Sequence, residues 1–272
     1  MLSGIALVTG GGSGIGRDCV LAYAHEGVRA IVIADINEEA ALSAANASRE
    51  LATNTDYEAL AVRVDVSNEE SVKSLVDTTV KTFGRIDYLV NSAGLGVTLP
   101  AEIGDASVEE LDRFFHVNVR GTFLCIRAAT QAMKQQDPRV VQGRLGPRPI
   151  GRGVIINLAS CNAFMATPNI TQYTVAKHAV LGMTRNAALD NAKYGIRVVA
   201  VCPSWVDTPM VDRAMAGNPA LKPLIESAVP LGRIASAEEV SDVVTFLSSH
   251  KASYVTGVGW IIDGGATLTV HV

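Results

Sequence analysis

Tyr173 and Lys177, the first and last residues of "YTVAK", stand four apart, so on a helix they share one face. A free phenol has a pKa near 10 and is a poor base at neutral pH; a neighbouring ammonium favours the phenolate. Moving that pKa by about three units requires roughly 4 kcal/mol of differential interaction, of which one lysine could supply part. The same spacing also describes an ordinary exposed helical pair. Ser160, thirteen residues before Tyr173, closes the apolar run "GVIINLAS" with a hydroxyl able to converge on the same place. Phenol, ammonium and hydroxyl together suit proton transfer at a substrate oxygen.

A second chemical feature lies near the start. "VTGGGSGIGR" (8–17) joins an apolar run to a helical one, and Gly10, Gly14 and Gly16 allow a tight turn through which backbone can reach a pyrophosphate. The spacing G-x3-G-x-G differs from the common G-x-G-x-x-G, so its context between strand and helix carries the reading. About twenty residues on, "IVIAD" ends in Asp35, where a carboxylate can accept hydrogen bonds from an adenosine ribose. A 2′-phosphate would meet like charge there, and Ser13 offers it no basic partner, so NAD is expected over NADP. The other reading of Asp35 is a helix cap for Asn37-Glu38-Glu39.

The elements that must position these groups follow from the pattern of apolar runs. "IALVT" (5–9), "AIVIAD" (30–35), "LAVRVDV" (60–66), "IDYLVN" (86–91), "GVIINLAS" (153–160), "IRVVAVCP" (196–203) and "GVGWIIDGG" (257–265) alternate with longer helical stretches. Strands apolar along their whole length imply a parallel sheet covered on both faces, a doubly wound Rossmann-type α/β fold of about seven strands. Helix starts are legible at Asn37, Ser67-Asn68, Ser107 and Ser236, each followed by paired glutamates. Residues 1–272 are expected to form one domain. Two stretches break the rhythm: 135–152, rich in Pro, Gly and Arg, predicts a long surface loop, with a basic docking site as the alternative. Residues 204–235, with four prolines, predict an irregular lid over the pocket.

Composition narrows the partners. With 48% apolar and 18% charged residues the chain can bury a large core, while a net charge of −4 and a pI near 5.7 give no support for nucleic acid or an anionic membrane. No apolar stretch approaches the roughly 18 to 20 residues needed to span a bilayer, and "MLSGIALVTG" has no basic leader, so a soluble, cytoplasmic protein is expected. Cys19, Cys125, Cys161 and Cys202 lack metal or redox spacing and read as buried thiols, so no metal is expected. Cys161, beside Ser160, reads as packing rather than as a nucleophile.

Taken together, the chain resembles the short-chain dehydrogenase/reductase family over almost its whole length. Thr9-Gly10-x3-Gly14-Ile15-Gly16, Asp65-Val66, Asn91-Ser92-Ala93-Gly94, Asn118 in "HVNVRG", Ser160, Tyr173-x3-Lys177 and Pro203 to Thr208 stand in the family's order. The resemblance implies that Tyr173 is the general acid/base, that Lys177 lowers its pKa and binds the nicotinamide ribose, and that Ser160 bonds the substrate oxygen. It implies a water held by Asn118 that links Lys177 to solvent. Around the dinucleotide it implies adenine contacts from Asp65 and Val66, ribose-side contacts from Asn91, Ala93 and Gly94, and carboxamide contacts from Val206 and Thr208. Two departures stand out. "NSAG" replaces the family's usual Asn-Asn-Ala-Gly, and Ser204 replaces a usual glycine, where strain of order 1 kcal/mol is expected.

The substrate is expected to be a hydrophobic secondary alcohol or ketone, from the apolar candidate walls Leu95, 161–168, Trp205 and Met210. Family analogy implies a homo-dimer or homo-tetramer through the helices of Asn118 and Tyr173 and the C-terminal strand. Two other functions fit the sequence less well. A non-catalytic dinucleotide-binding sensor would not need serine, tyrosine, lysine and asparagine together, and a sugar-nucleotide epimerase normally needs a longer C-terminal region.

Overall fold

A computed structural model describes residues 2–218 and 220–268. Pro219 of the expected lid, and Thr269 and Val270 of the apolar C-terminal run, lie outside the described residues.

All seven expected strands form and join one parallel sheet. In chain order the first part runs β1 (Ile5–Thr9), α1 (Gly14–His25), β2 (Ala30–Asp35), α2 (Glu38–Leu51), β3 (Glu58–Arg63), α3 (Glu69–Phe83) and β4 (Tyr88–Asn91). There follow α4 (Val108–Phe114), a π-helical turn (Phe115–Gly121), α5 (Thr122–Lys134), β5 (Arg139–Gly143), β6 (Gly146–Gly151), β7 (Gly153–Leu158) and α6 (Thr171–Ala192). The chain continues through β8 (Ile196–Pro203), α7 (Pro209–Gly217), α8 (Leu221–Ala228), α9 (Ala237–Ser248) and β9 (Gly259–Ile262). The sheet order is β3-β2-β1-β4-β7-β8-β9, every pairing parallel. The winding reverses between β1 and β4, and the crevice beyond their carboxyl ends is where such sheets take ligands.

The alternation along each strand feeds two cores. Ala6, Val8, Ile31, Ile33 and Val90 face α1 and α9 in one cluster, while Ile5, Leu7, Val32, Leu89 and Ile155 face α3 and α5 in the other. Strands apolar in both phases are therefore what two helical layers require. Capping follows the expected residues: Asn37, Ser107 and Ser236 each accept from the third residue beyond, and Ser236 completes a capping box with Glu239. For α3 the cap is Asn68, because Ser67 is committed to Asp65.

Two expectations are corrected. The predicted loop at 135–152 contains an antiparallel hairpin, β5–β6. Pro147 and Pro149 stand two apart on β6, so their missing N–H groups share the edge facing away from β5 and cost the ladder nothing. Gly146, at φ 120°, closes the turn. The predicted irregular stretch 204–235 contains α7 and α8, because Pro209 and Pro223 fall in first helical turns, where no backbone donor is required.

Candidate active site

The glycine loop between β1 and α1 is built around absent side chains. Gly10 has φ 67°, and a Cβ there would come within 2.6 Å of Ala93 N and 2.7 Å of its Cα, so the loops after β1 and β4 can touch only across a glycine. A Cβ on Gly16 would lie 2.1 Å from Gly10 O, which brings the first turn of α1 onto the loop. Gly14, at φ 52°, faces Thr208, Ile15 packs against the core, and Ser13 is an exposed N-cap residue without a side-chain cap bond. Asp35 ends β2 with Oδ2 accepting from Gly12 N (2.9 Å) and Oδ1 from Asn37 N (3.0 Å). Asn37, not Asp35, caps α2. A cradle that a Cβ would fill, a helix N-terminus and a carboxylate on the neighbouring strand fit a pyrophosphate and an adenosine ribose.

Gly10→Ala is expected to cost at least about 3 kcal/mol, from left-handed strain plus collision with backbone. Gly84→Ala, at φ 84° with nothing within 4 Å of the new Cβ, is expected to cost only about 1 kcal/mol. Denaturant unfolding of both variants measures the difference, and equal costs would remove the close-approach argument.

The remaining residues expected around the dinucleotide have definite partners. Asp65 is exposed, and its Oδ1 closes a turn by accepting from Ser67 N (2.9 Å) and Oγ (2.7 Å). Val66 is buried against Gly121 of the π turn. Asn91 is turned into the sheet, where Nδ2 donates to Asn157 Oδ1 (2.8 Å) and Asn157 in turn donates to Thr184 (2.9 Å). Ala93 lies against Gly10, and Gly94 approaches Asn118.

Ser160, Tyr173 and Lys177 are brought together at the carboxyl end of β7. Ser160 is buried and caps a 3-10 turn, Cys161–Ala163, its Oγ accepting from Asn162 N (3.2 Å). With that lone pair taken, the hydroxyl proton is free to turn elsewhere. Tyr173, half-buried on α6, meets the buried Phe114 ring edge-on (6.3 Å between centroids, 81°). Lys177 Nζ lies 5.4 Å from the Tyr173 ring centre and donates to Leu158 O (2.8 Å). Burial pushes the phenol up to about 12, while the hydrogen bond with Ser160 pulls it the other way. Burial pulls Lys177 down to about 8. The expected net lowering of the phenol is therefore not produced by the protein's own side chains: desolvation outweighs the hydrogen bond from Ser160.

Asn118 sits in the π turn between α4 and α5, a geometry that frees backbone groups from the regular ladder. Its carboxamide grips one residue, accepting from Leu95 N (2.7 Å) and donating to Leu95 O (3.1 Å), which ties the π turn to the loop after β4.

A family model described as enoyl-(acyl carrier protein) reductase matches residues 10–267. The short-chain dehydrogenase anuF of Penicillium roqueforti is 52% identical over 270 residues, 99% of this chain and 98% of that protein. The chain belongs to the short-chain dehydrogenase/reductase family. The short-chain dehydrogenase srdC of Neurospora crassa is 55% identical over 271 residues, 100% of this chain and 99% of that one. Among solved structures, levodione reductase superposes with a TM-score of 0.87 at 33% identity, covering 98% of both chains. Short-chain dehydrogenases/reductases are oxidoreductases that use nicotinamide dinucleotides and act on small molecules.

The departures from the short-chain dehydrogenase/reductase pattern are absorbed without strain. Among the described residues the only non-glycine with positive φ is Asn169, so the strain expected at Ser204 is absent; Ser204 N continues the sheet by donating to Ile262 O (3.0 Å). Val206 is buried and bridges Ala235, and Thr208 caps α7. Of the expected walls, Met210 packs on Gly96, but the Phe164 ring lies against Gly259 of β9. Cys161 is buried with its thiol pushed up, chiefly by burial, as a packing residue. Two positioning residues escaped the sequence reading. Phe114 had no signal beyond being apolar; Asn162, which holds Ser160 through its backbone and Thr167 (3.1 Å) and Thr174 (3.4 Å) through its side chain, could have been found as a polar residue two beyond a strand-end serine.

Proposed function

We propose that this protein is an NAD(H)-dependent dehydrogenase/reductase of hydrophobic secondary alcohols and ketones, acting in the cytoplasm as one domain. The observation that carries the reading is a phenol beside a strand-end serine, with a lysine one helical turn away, across the crevice from a glycine cradle and Asp35. Support for the compartment comes from four free, buried cysteines, as a reducing environment permits.

When bound, the dinucleotide supplies or accepts the hydride. Gly10, Ser13, Gly14, Ile15 and Gly16 would hold its pyrophosphate, Asp35 one ribose, and Asp65, Val66, Asn91, Ala93 and Gly94 the rest of its adenosine half; Lys177, Val206 and Thr208 would hold the nicotinamide half. In the reducing direction Tyr173 passes its phenolic proton to the carbonyl oxygen as that oxygen gains charge, and Ser160 donates a hydrogen bond to the same atom. Lys177, still cationic at neutral pH, stabilises the phenolate left behind. Asn118 fixes the loop carrying Leu95 and is assigned to the proton path by which Tyr173 is recharged. The 204–235 segment acts as a lid: α7 has no buried residue, α8 buries only Ile225, and Met210 rests on Gly96. A homo-dimer or homo-tetramer is supported by the exposure of Phe123 on α5, Val175 on α6 and Trp260 on β9.

The test is spectrophotometric: purified protein with NAD(H) or NADP(H) and a panel of hydrophobic alcohols and ketones, following reduced nicotinamide. Cofactor binding without turnover across the panel would defeat the reading. Asp35→Asn loses the charge and keeps an acceptor for only one of Gly12 N and Asn37 N; it is expected to narrow any preference for NAD over NADP by about 30-fold, about 2 kcal/mol. An unchanged ratio of kcat/KM values would show that Asp35 does not select the cofactor by charge.

A further inference from the structure

At the amino ends of the central strands, opposite the Tyr173 crevice, the hairpin closes a second cavity. Its walls include Asp87 before β4, Arg139 and Gly151 of the hairpin, Arg197 of β8, Ser248 of α9 and Ser253, and it has room for the centre of one water-sized sphere, about 10 Å³. Arg197 is more than nine-tenths buried. Its Nη1 donates to Val255 O (3.0 Å) and its Nη2 to Leu247 O (2.7 Å) and Ser249 O (3.4 Å), but Nε has no hydrogen-bond partner and no carboxylate pairs with the guanidinium among the described residues.

The local carboxylate is already saturated. Asp87 accepts from Ile5 N (2.8 Å) and meets both Arg85 (2.9 Å) and Arg139 (3.1 Å), so two guanidinium groups already share the one buried carboxylate and Arg197, in the same wall, has none. His250, also in the wall, is held below its usual pKa range, first by burial and then by Arg148 of the hairpin, which agrees with a positive surrounding. The carbonyls at the end of α9 take up part of the Arg197 charge, but they leave its Nε–H unsatisfied. A water would bond to Nε and leave the excess charge; a monoatomic anion answers both. Oxyanions such as phosphate are too large for the space.

We propose that this cavity binds one small monoatomic anion, chloride under ordinary conditions, between Arg197 Nε and Arg139. The 135–152 insertion thereby supplies one wall of a structural anion site, independent of the reaction. The test compares melting temperatures in chloride and in gluconate at equal ionic strength, together with anomalous scattering from crystals soaked in bromide. Chloride at about ten times its dissociation constant is expected to raise Tm by about 2 °C over gluconate, and bromide to give a peak within hydrogen-bonding reach of Arg197 Nε. Arg197 also caps α9, so the variant used is Ser253→Val, which adds methyl groups to the wall and spares every arginine contact; it is expected to abolish the chloride effect. Equal melting temperatures in the two salts, a chloride effect that survives Ser253→Val, or bromide maps without that peak would each overturn the proposal.

Discussion

Tyr173→Phe is expected to lower kcat by about 10³-fold while the dissociation constant for NAD(H) stays within about two-fold of the parent, the size of effect a positioned proton carrier contributes. The variant removes one oxygen and keeps the ring, so the edge contact with Phe114 and the α6 packing survive and Tm should hold. It also removes the hydroxyl beside Ser160, but Ser160 keeps its bond from Asn162 N and stays in place. Stopped-flow and cofactor titration separate the two parameters. Loss of cofactor affinity in step with kcat would make Tyr173 a binding residue, and retained turnover would mean the proton comes from elsewhere. Because burial holds the phenol near 12, it carries its proton at pH 7 and is poised as an acid.

The parts of this molecule that could be read from sequence are those where one residue type answers one local physical demand. Seven strands were legible because each is apolar in both phases, as two helical layers require. Asn37, Ser107 and Ser236 were legible as caps because a short polar side chain followed by two glutamates suits few other places. The hairpin was not, because proline and glycine weigh against a strand until it is known that β6 turns one edge away from its partner and the prolines fall on that edge. Helices α7 and α8 were missed for a related reason: a proline in a first turn and a proline in a loop look alike in one dimension. The site was legible in its members but not in its electrostatics. That Tyr173 and Lys177 share a face follows from spacing, but whether burial or attraction sets their protonation depends on how deeply α6 is covered. The π turn around Asn118 leaves no mark on apolar periodicity, so its grip on Leu95 could not have been anticipated.

Lys177→Met separates function from architecture more sharply than any other change to α6. A lysine pulled from its usual value near 10.5 to about 8 by burial pays about 3 kcal/mol for remaining charged at neutral pH. Methionine of similar length removes that cost but leaves Leu158 O without its 2.8 Å donor, a loss of about 1 to 3 kcal/mol. The two nearly cancel, so Tm at pH 7 is expected to equal or slightly exceed that of the parent while kcat falls by about 10² to 10³-fold. The pH dependence carries the same sign. Between pH 8 and 10.5 the unfolded lysine holds a proton that the folded one has lost, so this residue makes stability rise with pH in that window, and Lys177→Met should lose that contribution. Denaturant unfolding of both proteins across that window isolates the lysine and its coupling to Cys202, because buried Cys19 and Cys125, which ionise on unfolding and act in the opposite direction, are common to both. A variant that melts well below the parent would make Lys177 a structural tie to β7, and the phenolate would then need another source of positive charge.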